Sequence, residues 1–229
     1  NTTVSNLTAV GYESLRLNTT GTGLVAVGYQ AGIGNVKGIN NSYFGYQAGY
    51  SGTTVVSSIT ITNGGTGYTA GALIVDNTGT GGTGLAGTYT VDGSGVINGI
   101  TITNNGSGYN SAPVVTPQAG GSNAVLTPVL VSADYNTANG CVSLRYNTTG
   151  SNNTANGCDS LRSNTTGSYN TANGYASHSN TTGNNNTANG YNAGRSITTG
   201  GNNSFFGTES GYHASQKVDA TNSMALGYG

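Results

Sequence analysis

Charge is what this sequence lacks most. Six of its 229 residues are Lys or Arg and seven are Asp or Glu, so 6% are charged and the net charge is −1. A soluble domain ordinarily carries about 25% charged residues, so amides and hydroxyls must provide the polar surface here. Six basic residues cannot form a stripe that neutralises phosphates, which excludes a nucleic-acid partner from the expectation. Tryptophan is absent and proline occurs three times. Ordinary disorder goes with high net charge and abundant Pro and Glu, so this composition argues for order. Two cysteines are too few for a disulfide framework. No run of 18 apolar residues exists, and no membrane insertion is expected. Neither a signal-peptide pattern nor an initiator Met is visible, so the chain is expected to be processed or part of something longer.

What is present is glycine, 40 residues of it, with Asn, Thr and β-branched side chains. Hydrophobic residues reach 34%, but Ala and Tyr supply much of that. Such a chain cannot fill a core of Leu, Ile and Phe. Its order must come from a backbone hydrogen-bond ladder, which predicts an all-β fold.

The ladder is written as a repeat. Asn-Thr-Ala-Asn-Gly occurs four times between Asn136 and Gly190, and the phrase that follows each copy contains Thr-Thr-Gly. Anchored on its glycine, the unit recurs at Gly11, Gly28, Gly45, Gly140, Gly157, Gly174, Gly190, Gly207 and Gly227. The spacing is 17 residues, apart from single gaps of 16 and 20 and one of 95, which equals a repeat plus an insertion of 78. "NSYFGYQAGY" (Asn41 to Tyr50) returns as "NSFFGTESGY" (Asn203 to Tyr212), so the two blocks share one architecture. Seventeen residues are too few for a helical-hairpin repeat, and Gly, Asn and Thr disfavour helix. The unit therefore predicts one turn of a parallel β-solenoid, a β-roll with rungs about 4.8 Å apart. The expected division is 1–52 solenoid, 53–133 inserted β domain and 134–229 solenoid continued.

Stacked rungs align like residues in columns. Before the anchor stand Asn139, Asn156, Asn173 and Asn189, whose amides can bond along the column. After it come Tyr12, Tyr29, Tyr46, Cys141, Cys158, Tyr175 and Tyr191. Four residues after it lie Leu15, Leu144 and Leu161, and one further lie Arg16, Arg145, Arg162 and Arg195. Stacked arginines repel, so they are expected to face water and the leucines the interior. An arginine ladder could also contact an anionic glycan. Cys141 and Cys158 fall one rung apart, within the roughly 4.4–6.8 Å that a disulfide spans. Parallel side chains would strain that bond, and two small buried thiols are the alternative.

The Asn-Thr-Ala-Asn-Gly and Asn-Thr-Thr-Gly units resemble repeats of bacteriophage tail-fibre shafts. "NSMALGYG" (Asn222 to Gly229) is similar to the Asn-Ser-x-Ala-x-Gly signature of trimeric autotransporter adhesin heads. The resemblance covers 1–52 and 134–229 and implies a left-handed parallel β-roll whose three chains share an axis. This repeat is longer than the adhesin one, which leaves a flattened roll and a rounded triangle both open. A trimer also has a physical argument. At ~25 cal/mol per Å², the little apolar area per rung does not offset ordering costs of ~1.5 kcal/mol per residue. Association would supply the missing burial; a single-chain solenoid held by its ladder alone is the alternative.

The insertion reads differently. "SSITITNGGTGYTAGALIV" and "NGITITNNGSGYNSAPVV" are half-repeats in which Ile59 matches Ile100. Alternating apolar and polar residues with turn signals between them predict a small antiparallel, sandwich-like β domain. It could present a binding surface or act as a spacer or lateral-packing module. Pro113, Pro117 and Pro128 suit edge strands.

Chemistry is hard to find. "GTGGTG" at Gly79 to Gly84 matches a dinucleotide fingerprint, but a strand and not a helix follows it. His178 and His213 have no acidic partner nearby in sequence; His178 occupies the leucine column, where a surface or terminal replacement is expected. Neither a zinc site nor a calcium loop can be read, and Asp159 and Glu209 form no evident carboxylate pair. No enzyme and no cofactor are expected. The expected product is an extracellular structural fibre: a shaft segment of a phage tail fibre or adhesin-like stalk, reaching a surface glycan or receptor. The alternatives are a subunit of an open filament stacked end to end and, more weakly, a carbohydrate-binding module in the insertion.

Overall fold

The computed structural model describes residues 6–118, 120–178, 182–212 and 219–228. The second histidine, His213, lies outside them, as do Asn1 to Thr3 and Gly229. The chain divides into two units, Asn1–Thr53 with Ser132–Gly229, and Thr54–Val131.

The first unit is a parallel β-solenoid. Its strands are β1 (Leu7–Val10), β2 (Leu24–Val27) and β3 (Ser42–Phe44) before the insertion. The insertion holds β4 (Val55–Thr66), β5 (Gly71–Asp76), β6 (Thr83–Val91), β7 (Ile97–Ser107), β8 (Val114–Pro117) and β9 (Ser122–Val131). After it come β10 (Thr137–Asn139), β11 (Thr154–Asn156), β12 (Thr171–Asn173), β13 (Thr187–Asn189), β14 (Ser204–Phe206) and β15 (Met224–Leu226). The nine solenoid strands form one sheet in the order β1-β2-β3-β10-β11-β12-β13-β14-β15. Across the insertion β3 pairs directly with β10, with Tyr43 opposite Ala138. Rungs of 17 residues thus continue in register on both sides of it.

Each anchor glycine ends its strand with a φ that L side chains rarely adopt, such as +125° at Gly157 and +133° at Gly174. A Cβ on Gly157 would lie 2.5 Å from the Gly174 carbonyl oxygen of the next rung. Stacking backbones this closely requires glycine. The bend that follows places the second and fourth residues after the anchors from Gly11 to Gly207 in the left-handed region: Val142 and Leu144 at 50° and 48°, Asp159 and Leu161 at 60° and 47°. Bonds between rungs hold this strained path. Asp159 N–H donates to Cys141 O at 3.0 Å, and Leu161 N–H to Ser177 O at 3.1 Å.

The interior is half apolar and half amide. The middle strand residues Ala138, Ala155 and Ala172 are fully buried, as are Leu144 and Leu161. Where an aromatic replaces the strand alanine, glycine replaces the leucine. Tyr43 fills the space over Gly32 and Gly49, and Phe205 does so over Gly194 and Gly211. The opposite part of the rungs buries asparagines from both halves of the repeat phrase. Asn136, Asn153, Asn170, Asn186 and Asn203 form one column and Asn18, Asn35, Asn147 and Asn164 another.

The second unit is a six-stranded antiparallel sheet in the order β4-β9-β8-β5-β6-β7. The sheet curls until its end strands meet: Asn105 Nδ2 of β7 donates to Val56 O of β4 at 2.6 Å. Exchanging the halves, β4 with β7, β5 with β8 and β6 with β9, reverses the strand order onto itself. The unit is a duplication whose centre lies between the Ile74–Thr116 and Val75–Val115 pairs. Even the irregularities repeat. The bulges on β4 fall at Val56/Ser58 and Ile61/Asn63, and those opposite β7 at Thr90/Val91 and Ala86/Gly87. In each half the motif Asn-x-Gly-x-Gly-Tyr turns on the same bond, Gly65 N–H to Asn63 Oδ1 and Gly106 N–H to Asn104 Oδ1, both 2.9 Å. Tyr68 and Tyr109 then enter the core.

Candidate functional site

The chemistry of the solenoid lies along its columns. In the outer asparagine column, Asn156 Nδ2 donates to Asn173 Oδ1 at 2.9 Å and Asn173 Nδ2 to Asn189 Oδ1 at 2.7 Å, while Asn139 is exposed. The tyrosines form two exposed stacks. Tyr12, Tyr29 and Tyr46 lie 5.4 and 5.2 Å apart, ring centre to ring centre, and Tyr175 and Tyr191 5.7 Å apart. Cys141 and Cys158 interrupt them.

Both thiols are free, Cys141 exposed and Cys158 half-buried. The structure therefore forms no disulfide between them and does not bury them as a pair. The two thiols stand in neighbouring rungs of one column, close enough to interact. Burial, followed by the neighbouring Cys141, raises the Cys158 pKa.

The four arginines share a face but do not form one stack. Arg16 Nε pairs with Glu13 at 3.3 Å. Arg145 lies over the rings of Tyr50 and Tyr146, at 5.7 and 5.3 Å, and Arg162 lies 5.8 Å over Tyr146. Arg195 lies 5.7 Å over Tyr212 and donates to Asn192 Oδ1 at 3.2 Å. Ring faces and acidic neighbours thus offset the repulsion that bare stacking would create.

His178 corrects the sequence reading. It is fully buried, not a surface replacement, and neither ring nitrogen has a hydrogen-bond partner. Its φ of 48° matches Leu144 and Leu161, so the column imposed an interior position on whatever residue stood there. Burial holds its pKa down at about 4, and the Gly194 backbone opposes the shift. A lone histidine in a column of leucines was the available signal.

At least two clefts open on the arginine face among the described residues. One, of about 330 Å³, is lined by Arg16, Leu17, Ile33, Gly34, Tyr50, Ser51, Thr53 and Thr148. The other, of about 220 Å³, is lined by Asp159, Arg162, Ser163, Tyr175, Ala176 and Arg195. Asp159 pairs with Arg162 at 3.4 Å, not with Glu209. Among the described residues no three His, Cys, Asp or Glu side chains converge as a metal site would require. Compared with known families, characterised proteins and solved structures, the chain has no significant match.

Proposed function

We propose that this protein is a non-catalytic structural element of an extracellular fibre, a shaft segment of the tail-fibre or adhesin-stalk kind that mediates attachment to a surface. The observation that carries this reading is the unbroken register of nine rungs, in which backbone and amide bonds replace charge and most of the apolar core. A ladder in which every rung templates the next suits an element that must stay straight under load. Exposed apolar residues support association of several chains, as in a homotrimer. Val10 is 57% exposed, Tyr12 66%, Phe44 41% and Tyr46 51%.

A second reading is an open filament of copies stacked end to end. It is favoured by the parallel, in-register pairing of successive rungs, a backbone pattern that a strand of another copy can continue. Electron microscopy of native material with the subunit mass from the same sample tests both. Rods of uniform length, three chains across, support the shaft. Indefinite filaments with an axial repeat near one chain's span support the polymer, and compact monomers refute both.

A further inference from the structure

Cys141 and Cys158 stand where the column otherwise carries Tyr12, Tyr29, Tyr46, Tyr175 and Tyr191. They follow β10 and β11, which pair in register with Asn139 opposite Asn156. The backbone stays in step beyond the strands, since Asp159 N–H donates to Cys141 O at 3.0 Å. One rung, roughly 4.8 Å, therefore separates the two residues. Tyrosines of the same column keep step with the rungs: Tyr12 and Tyr29 lie 5.4 Å apart, ring centre to ring centre, and Tyr29 and Tyr46 5.2 Å.

This spacing disfavours one bridge and suits another. A disulfide needs sulfurs about 2.05 Å apart, and both thiols are free. Two metal–thiolate bonds of about 2.3 Å each, set in line, span roughly 4.6 Å, which is close to one rung. Each thiol turns about its own χ1, so the sulfurs can take up this separation while the backbone stays in place. Cys141 is exposed and Cys158 half-buried, which leaves the pair at the surface. The charge of Arg162 favours the Cys158 thiolate, and that of Asp159 opposes it.

Two ligands are too few for zinc, which takes four, and among the described residues no three His, Cys, Asp or Glu side chains converge. Calcium and magnesium take oxygen ligands. Thiolates select soft cations, with Cu(I) the type case, and a filled d shell is content with two ligands in line.

We propose that Cys141 and Cys158 form a two-coordinate site for a soft monovalent d10 cation of the Cu(I) type, which bridges the first two rungs after the insertion. Binding makes two metal–sulfur bonds and releases two thiol protons to solvent, and no electron is transferred. Burial and the neighbouring Cys141 raise the Cys158 pKa, so affinity increases with pH as that proton becomes easier to remove. An ion bound only by the folded chain stabilises it by mass action. The site is independent of the fibre reading.

The test is a titration of the reduced, metal-free protein with Ag(I), an air-stable ion of this class, in chloride-free buffer. One silver is expected per chain, with two protons released, the native mass unchanged, both thiols protected from a thiol-specific reagent and the melting temperature raised. Zn(II) in excess is expected not to displace the silver. Cys141→Ser is expected to weaken binding at least about tenfold and to remove the thermal shift. Two double variants separate spacing from thiol content. Cys141→Tyr with Tyr175→Cys moves the pair one rung along, to positions 158 and 175, and is expected to keep the site. Cys158→Tyr with Tyr175→Cys sets the thiols two rungs apart and is expected to lose it. Both put tyrosine where the column ordinarily holds it, so the rungs are expected to persist. Two silver ions per chain, a rise in native mass on adding silver, displacement by zinc, or equal affinity in the two double variants each overturns the assignment.

Discussion

Asn153 Oδ1 accepts the backbone N–H of Asn170, one rung along the ladder, at 3.0 Å. Asn170 repeats the act: its Oδ1 accepts Asn186 N–H at 3.0 Å and its Nδ2 donates to Gly183 O at 2.9 Å. Each buried amide therefore satisfies a donor its neighbour would otherwise bury unmet. Replacing Asn170 with Ala orphans the Asn186 N–H in the interior, at a cost of about 3 kcal/mol. Asn156→Ala, in the half-buried outer column, is expected to cost below about 1 kcal/mol. Denaturation midpoints of the two variants check this; equal losses would mean that the buried column is not what holds the rungs.

Gly157 makes a second, steric prediction. An added Cβ meets the Gly174 carbonyl oxygen at 2.5 Å, at a φ of +125°. That oxygen cannot retreat freely, because Ser177 Oγ donates to it at 3.1 Å. Gly157→Ala is expected to cost at least about 3 kcal/mol. Gly93→Ala, where a Cβ meets nothing within 4 Å, should stay within about 0.5 kcal/mol. Thermal melts of the two variants separate backbone contact from a general intolerance of alanine.

These two residues also show what the sequence disclosed. The glycine column was visible because a tight backbone approach admits one residue type, so the period survives every other substitution. The halves of the insertion were visible for the same reason, through the turn glycines before Tyr68 and Tyr109. The buried asparagines were not, although they recur as regularly as the outer ones. Asn is ordinarily a surface residue, and only the three-dimensional ladder shows that its four hydrogen-bonding positions can be met inside.

Cys141 and Cys158 predict a kinetic pattern. Both are free, the first exposed and the second half-buried with a raised pKa. Since the thiolate is the reactive form, a thiol-specific disulfide reagent at neutral pH should titrate two thiols per native chain in two phases, Cys141 first. Cys141→Ser should leave the slow phase alone. A native protein with no titratable thiol would instead show that the neighbouring rungs can twist far enough to join them.

His178 makes stability depend on pH. Its pKa is about 4 in the folded chain, below the ordinary 6.5, so between these values the unfolded chain binds more protons than the folded one. Stability therefore rises with pH across this window. It is fully present above pH 6.5, falls as pH drops towards 4, and loses nothing more from this group below that. The depression corresponds to about 3 kcal/mol as an upper bound. Leu144 and Leu161 hold the same column position at φ 48° and 47°, so His178→Leu fits the existing backbone and removes the titrating group. Melting temperatures at pH 4.5 and 7.5 should differ by several degrees in the parent chain. In His178→Leu the difference should shrink, with the gain concentrated at the acid end; an equal difference in both proteins would place the acid sensitivity elsewhere.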